Sequence, residues 1–340
     1  MARPVVDPVA APSLSSRAGS SSAPTKLVAA SDLYVLTVMA LMIAVARVGS
    51  PWLRDQVAAA VSALAFRFSR GKRQGTEATL ARAFGPRLGA RRRRTIVRRV
   101  FREYWVDLFS LLPLRGAQDG DAVLVGTEHL RDALAGGRGA ILWISNHWAG
   151  MSTLKRTLHA HGFPVHKVHA EHHLGGFSGH GDTWVQQRVI TPFFDRHEGA
   201  IVAGIVIIKR GSLAFGRELA GRLRANGIVC VAADGRLGSR FIARPFLGIA
   251  EAFPTGAVTL ARTSGAPLLP TFCLPARGHT LQVVIEPPIA MPAAVDREQG
   301  IRDVIDRYVE RLERHARRHP SRFVNWHLVS AALPPTAREE

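Results

Sequence analysis

Cysteine is nearly absent: the 340 residues contain two, Cys230 and Cys273. Both lie in apolar, strand-like runs, which excludes a disulfide framework and fits a reducing, cytoplasmic setting. Acidic residues are scarce as well, 26 against 45 lysines and arginines, for a formal net charge of +19. That excess needs an anionic partner, and on electrostatic grounds nucleic acid or an anionic membrane surface both serve. The chain also lacks a helix-turn-helix, zinc-finger or RNA-recognition pattern, so no nucleic-acid partner is expected. It lacks an uninterrupted apolar run of the roughly 20 residues that cross a membrane. The best candidate, Leu33 to Ala46, has fourteen residues and suits an interfacial, re-entrant or buried helix, unless Val48 to Leu53 extends it past Arg47 into a span. No internal repeat or strong linker interrupts Thr76 to Leu333.

The charge is concentrated. Between Arg67 and Arg99 twelve basic residues face a single acid, Glu77. Two apolar stretches, Leu33 to Ala46 and Gln56 to Phe66, precede this block, and together they read as a hydrophobic anchor beside cytoplasmic positive charge. The alternative is a pair of core helices with a solvated basic face. A cleaved signal peptide fits poorly, because some thirty residues precede the apolar run. The Ala-, Ser- and Pro-rich start suggests a disordered tail over 1–30. Anchoring helices over 31–70, an α/β domain over 76–333 and a short tail over 334–340 complete the expected organisation.

Periodicity predicts two helices between Thr76 and Leu112, broken at Gly85-Pro86. Strands are predicted at Gly137 to Ser145, Gly204 to Lys209, Ile228 to Ala233, Pro267 to Cys273 and Leu281 to Ile285. Helices are predicted at Ser152 to His161 and Leu213 to Ala225. A final amphipathic helix carries Ile301, Val304, Ile305, Tyr308 and Leu312 on one face. The fold class is α/β, with a mostly parallel or mixed central sheet flanked by helices and preceded by N-terminal hydrophobic and basic helices.

Two polar clusters fall where predicted strands end: Asn146-His147 after ILWIS, and Asp234-Gly235 after IVCVAA. Ligands of open α/β sheets bind beyond the carboxyl ends of strands. An imidazole there suits a general base for a hydroxyl nucleophile. His166, His169, His172 and His173 run at three-residue steps without a zincin-like pattern, so no metal is expected. With Gly175, Gly176, Gly179 and Gly181 they read instead as a polar substrate-entrance loop. Trp148 is either a wall for an acyl chain or a core aromatic.

Four blocks in order resemble the glycerolipid and lysophospholipid acyltransferase superfamily: Asn146-His147; VIIKRGS ending at Arg210; Asp234-Gly235-Arg236; and APLLPTF with Pro270. The segments PFLGIAEAFPTGAVTLARTSGAPLLP and HPSRFVNWH are similar to the branch of lipid A lauroyl/myristoyl-type acyltransferases. The resemblance implies transfer of a fatty acyl group from an acyl-carrier-protein or acyl-CoA thioester to a hydroxyl of a membrane lipid, at the cytoplasmic face of the inner membrane. The thioester is a co-substrate, and no other cofactor is expected. His147 would be the general base. Arg188, Arg210, Arg236 and Arg240 are candidates for substrate oxyanions, because guanidinium pairs bidentately with them. Asp234 would organise the loop and its arginines. In the family that the chain resembles, an Asp or Glu follows the histidine after four intervening residues, where this chain has Ser152. Glu171, Asp182 or Asp234 could supply the missing carboxylate; otherwise the chain is a slow enzyme or a catalytically impaired lipid-binding relative.

Overall fold

The computed structural model describes residues 26–115, 122–170, 183–208, 214–234, 240–276, 281–292 and 296–329. In chain order the described elements are α1 (Ala30–Val48), α2 (Pro51–Phe68), α3 (Arg70–Phe84), α4 (Ala90–Phe109), β1 (Ala122–Val125), α5 (Thr127–Ala135), β2 (Ala140–Ile144), α6 (Met151–Ala160) and β3 (Val165–Ala170). Then follow α7 (Thr191–Gly199), β4 (Gly204–Ile208), α8 (Ala214–Arg224), β5 (Ile228–Ala232), β6 (Phe241–Phe246), β7 (Ile249–Pro254), α9 (Gly256–Ser264), β8 (Leu268–Pro275), β9 (Leu281–Ile285) and α10 (Arg297–Arg318).

Seven strands form the sheet in the order β1-β9-β8-β2-β5-β3-β4. The five from β8 to β4 are parallel, and β9 reverses against β8. Side chains of β2 alternate between faces, as the pleat requires. Ile141 and Trp143 join the core under α8, α9 and α10, while Ala140 and Leu142 join the core under α5 and α6. Burial on both faces explains why β2 and β5 read as continuous apolar runs. Helix α10 docks Ile301, Val304, Ile305, Tyr308 and Leu312 as its spacing predicts. β6 and β7 form a separate hairpin whose turn residues, Leu247 and Gly248, both have positive φ.

The fourteen-residue apolar run lies within the 19-residue α1, long and apolar enough to cross a membrane by length and composition. One face of α1 is engaged: Val35, Val38, Met39, Met42 and Val45 pack with Trp105, Leu108 and Phe109 of α4 and with Phe194 of α7. Asp32 is buried and accepts a 2.5 Å hydrogen bond from Gln186 Nε2. The other face leaves Leu33, Leu41 and Val48 exposed, continued on α2 by Trp52, Leu64 and Phe68.

One expectation needs correction. His166 and His169 do not belong to a loop; they stand on β3, between β4 and β5. His172, His173 and the four glycines lie outside the described residues.

Candidate active site

β2 and β5 are neighbouring parallel strands, so residues just past their carboxyl ends meet. Asp234, buried beyond β5, takes the hydroxyl hydrogen of Ser145 and the backbone N–H of Asn146, the latter at 2.6 Å. Ser145 Oγ in turn accepts from His147 N at 3.1 Å. The aspartate therefore fixes the backbone that carries the histidine, and both its oxygens are occupied in doing so. A carboxylate accepting charge-assisted bonds inside a protein is a strong local lock.

A second clamp comes from the chain's far end. Residues 322–324 lie antiparallel along the histidine loop, with Ala149 N donating to Arg322 O at 2.8 Å and Val324 N to His147 O at 2.7 Å. Asn325 Nδ2 reaches Asn146 O at 3.5 Å. Arg322, 3 % exposed, donates to Glu103 of α4 at 2.6 Å and to the carbonyls of Ala149 and Cys273 at 2.7 and 3.4 Å. Gly150 then turns into α6 with φ +96°; a Cβ there would stand 2.5 Å from both Arg322 Nη2 and Cys273 Sγ. Only glycine fits such a position at low cost.

His147 is 7 % exposed, its ring 5.4 Å from that of Phe323. Its Nδ1 is buried and has no hydrogen-bond partner among the described residues. Ser152 sits in the first turn of α6. Facing that turn is an acid the sequence reading missed: Asp107 of α4 accepts from Met151 N at 3.3 Å and Ser152 N at 3.2 Å. It supplies from another helix the cap that Gly150 cannot. Burial raises its pKa, against the opposing pull of Arg322 and of the backbone N–H groups of Gly150 and Ser152. Deeper under α6, Lys155 and Lys167 (2.5 Å) share Glu198 Oε1. Burial would raise the Glu198 pKa, but the two ammonium groups hold it well below the usual range. The second cation bears the cost: burial and Lys155 lower Lys167 to about 8. Lys155 also acts electrostatically on Asp107.

The remaining expected residues scatter. Trp148 is fully buried, its indole N–H bonded to Cys273 O at 2.7 Å, and is a core aromatic. Arg188 is exposed on the π-helical turn Gln186–Ile190, which packs against α1. Arg240 is exposed and pairs with Glu298 of α10 at 3.1 Å. Arg210, Gly235, Arg236, Glu171 and Asp182 lie outside the described residues. Among the described residues no group of three His, Cys, Asp or Glu side chains is placed to hold a metal ion.

Residues 24–328 match the family model of bacterial lipid A biosynthesis acyltransferases. The phosphatidylinositol mannoside acyltransferases of Mycobacterium tuberculosis strains H37Rv and CDC 1551 are each 26% identical over 234 residues, 66% of this chain. The chain spans 65% of the length of these relatives. Among solved structures, the 1-acyl-sn-glycerophosphate acyltransferase PlsC of Thermotoga maritima aligns with a TM-score of 0.34 and 17% identity, over 76% of this chain and 95% of that one, a likeness too loose to bear on mechanism. The match across nearly the whole described chain makes it a member of the bacterial lipid A biosynthesis acyltransferase family.

Proposed function

We propose that the protein is a membrane-associated O-acyltransferase that moves a fatty acyl group from an acyl-carrier-protein or acyl-CoA thioester to a lipid hydroxyl, with His147 as general base. The observation that carries this reading is the twofold clamp on the His147 loop, from Asp234 on one side and residues 322–325 on the other. A general base works only when held in place. In the reaction His147 takes the hydroxyl proton as the oxygen attacks the thioester carbonyl. The tetrahedral oxyanion then collapses, the C–S bond breaks, and the imidazolium returns the proton to the leaving thiolate. Ester and free thiol result.

The apolar outer faces of α1 and α2, next to the basic block, suit an interfacial anchor lying along an anionic leaflet. Asp32 and the buried face of α1 favour that over a helix standing free in the bilayer. Arg210, Arg236, Arg188 and Arg240 remain candidates for substrate oxyanions. A second reading, a catalytically impaired lipid-binding relative, is favoured by the unpartnered His147 Nδ1 and by Ser152 in place of an acid.

Lipid mass spectrometry of cells with and without the chain tests the proposal and identifies the acceptor. A missing acylated species supports the enzyme, and unchanged lipids with retained membrane binding support the second reading. Ser152→Asp refines the first outcome, since turnover rises if an orienting carboxylate is what the site lacks.

A further inference from the structure

We propose that Lys72 and His327 form a binding site for a substrate phosphate beside His147. The identity of that substrate rests on the acyltransferase reading above. His327 lies on the 3-10 turn Trp326–Leu328, which follows directly on the segment bonded to the His147 loop. Helix α3 covers this turn: a Cβ at Gly75 would stand 3.2 Å from His327 Cβ. Lys72 and Gly75 are three residues apart and share that helix face.

Lys72 is held in place without a counter-anion. Its Nζ lies 4.2 Å from the centroid of the Tyr104 ring and 5.5 Å from that of Phe101, and no carboxylate pairs with it among the described residues. Tyr104 and Asp107 belong to the same helix, so the lysine stands on the α4 side of the site and His147 on the sheet side. His147 and His327 each bury an Nδ1 without a partner among the described residues. Burial lowers Lys72 to about 8; burial, Lys72 and His147 lower His327 to about 4. Near neutral pH the pair is therefore one ammonium without a carboxylate partner among the described residues and one neutral imidazole whose buried Nδ1 has none either. A partly buried cation without a partner is costly, and a phosphate supplies both the charge and the acceptor oxygens. Thioester donors carry phosphate on their pantetheine arm and phospholipid acceptors carry it in the headgroup; the shared chemistry is the phosphate ester.

Calorimetric binding to the full chain tests the site without requiring turnover. The probes are coenzyme A against pantetheine, and lysophosphatidylglycerol against monoacylglycerol, both lipids below their micelle concentrations. Lys72→Met and His327→Gln should weaken one phosphate-bearing probe roughly 10- to 100-fold, the range of a charge-assisted hydrogen bond, and leave its phosphate-free counterpart unchanged. Loss of coenzyme A assigns the site to the donor, and loss of the lysolipid assigns it to the acceptor. Lys72→Arg, which keeps the charge, should retain most of the binding. Wild-type binding of neither phosphate probe, equal losses with and without phosphate, or an equal loss in Lys72→Arg would overturn the proposal. Phosphate binding without acyl transfer would instead remove the acyltransferase reading and leave the site standing.

Discussion

Replacing Arg322 by Ala should damage stability and chemistry together, because one guanidinium joins α4, β8 and the His147 loop. The side chain is 3 % exposed and loses a 2.6 Å ion pair to Glu103 and the hydrogen bond to Ala149 O. Removing one partner of a buried pair costs about 3–5 kcal/mol. An orphaned buried carbonyl costs about 1–3 kcal/mol more. Glu103 is 29% exposed, so water repays part of the first figure, and the sum should stay near 3–5 kcal/mol. At roughly 2–4 °C per kcal/mol for a domain of this order, the melting temperature should fall by about 10 °C. Arg322→Lys can reach Glu103 but lacks the fork for both partners, so it should recover about half. Glu103→Gln should cost less than either. The assay is thermal unfolding followed by circular dichroism, beside acyl-transfer turnover; kcat should fall more than KM rises, since the Ala149 carbonyl lies two residues from His147. An Arg322→Ala protein within 1 kcal/mol of wild type, or equally active, would refute the clamp.

Gly150→Ala should be destabilising by about 2 kcal/mol or more, from the positive φ and the two close contacts, whereas an alanine at the open Gly162 should cost about 1 kcal/mol; urea unfolding separates them. Glu198 has a depressed folded pKa, so its stabilisation is present above about pH 4.5 and is lost as the pH falls below it. Glu198→Gln should be destabilised by about 3–5 kcal/mol at neutral pH, and its deficit should shrink below that pH; a constant gap from pH 7 to 3 would contradict the shared-carboxylate reading. Trp52→Ala with Phe68→Ala should weaken binding to anionic vesicles about ten-fold or more with no change in melting temperature, since both side chains are largely exposed. Unchanged flotation would place the membrane contact elsewhere.

Much of the sheet was legible because β2, β5 and β8 are largely buried apolar runs and β9 is a short β-branched run with one glutamine, and their predicted bounds fall within a few residues of the observed ones. The break at Gly85-Pro86 was legible for a local reason of another kind, backbone restriction. β3 was missed: its sequence VHKVHA lacks strict apolar–polar alternation, and its histidines and lysine obscured a strand whose Lys167 is satisfied by Glu198 from α7. Asp234 was legible as a polar residue at a strand end, and its bonds run to Ser145 and Asn146, both next to the histidine in sequence; residues 235–239 of the loop it was expected to organise lie outside the described residues. Asp107, Arg322, Lys72 and His327 could not be assigned that way, because each acts on residues far away in the chain. Asp107 showed only as a charge within the apolar stretch YWVDLF and Lys72 only as one charge of the basic block, while Arg322 and His327 fall in HPSRFVNWH, a segment whose resemblance to the acyltransferase branch assigns neither of them a role.

The most direct test compares purified wild-type and His147→Ala protein, mixed with an acyl thioester and the lipid acceptor identified in cells, by measuring free thiol and acylated lipid together. Wild type should release both products equally, and a His147→Ala variant that keeps its melting temperature should release none above background. Undiminished acyl transfer by His147→Ala would contradict His147 as the general base.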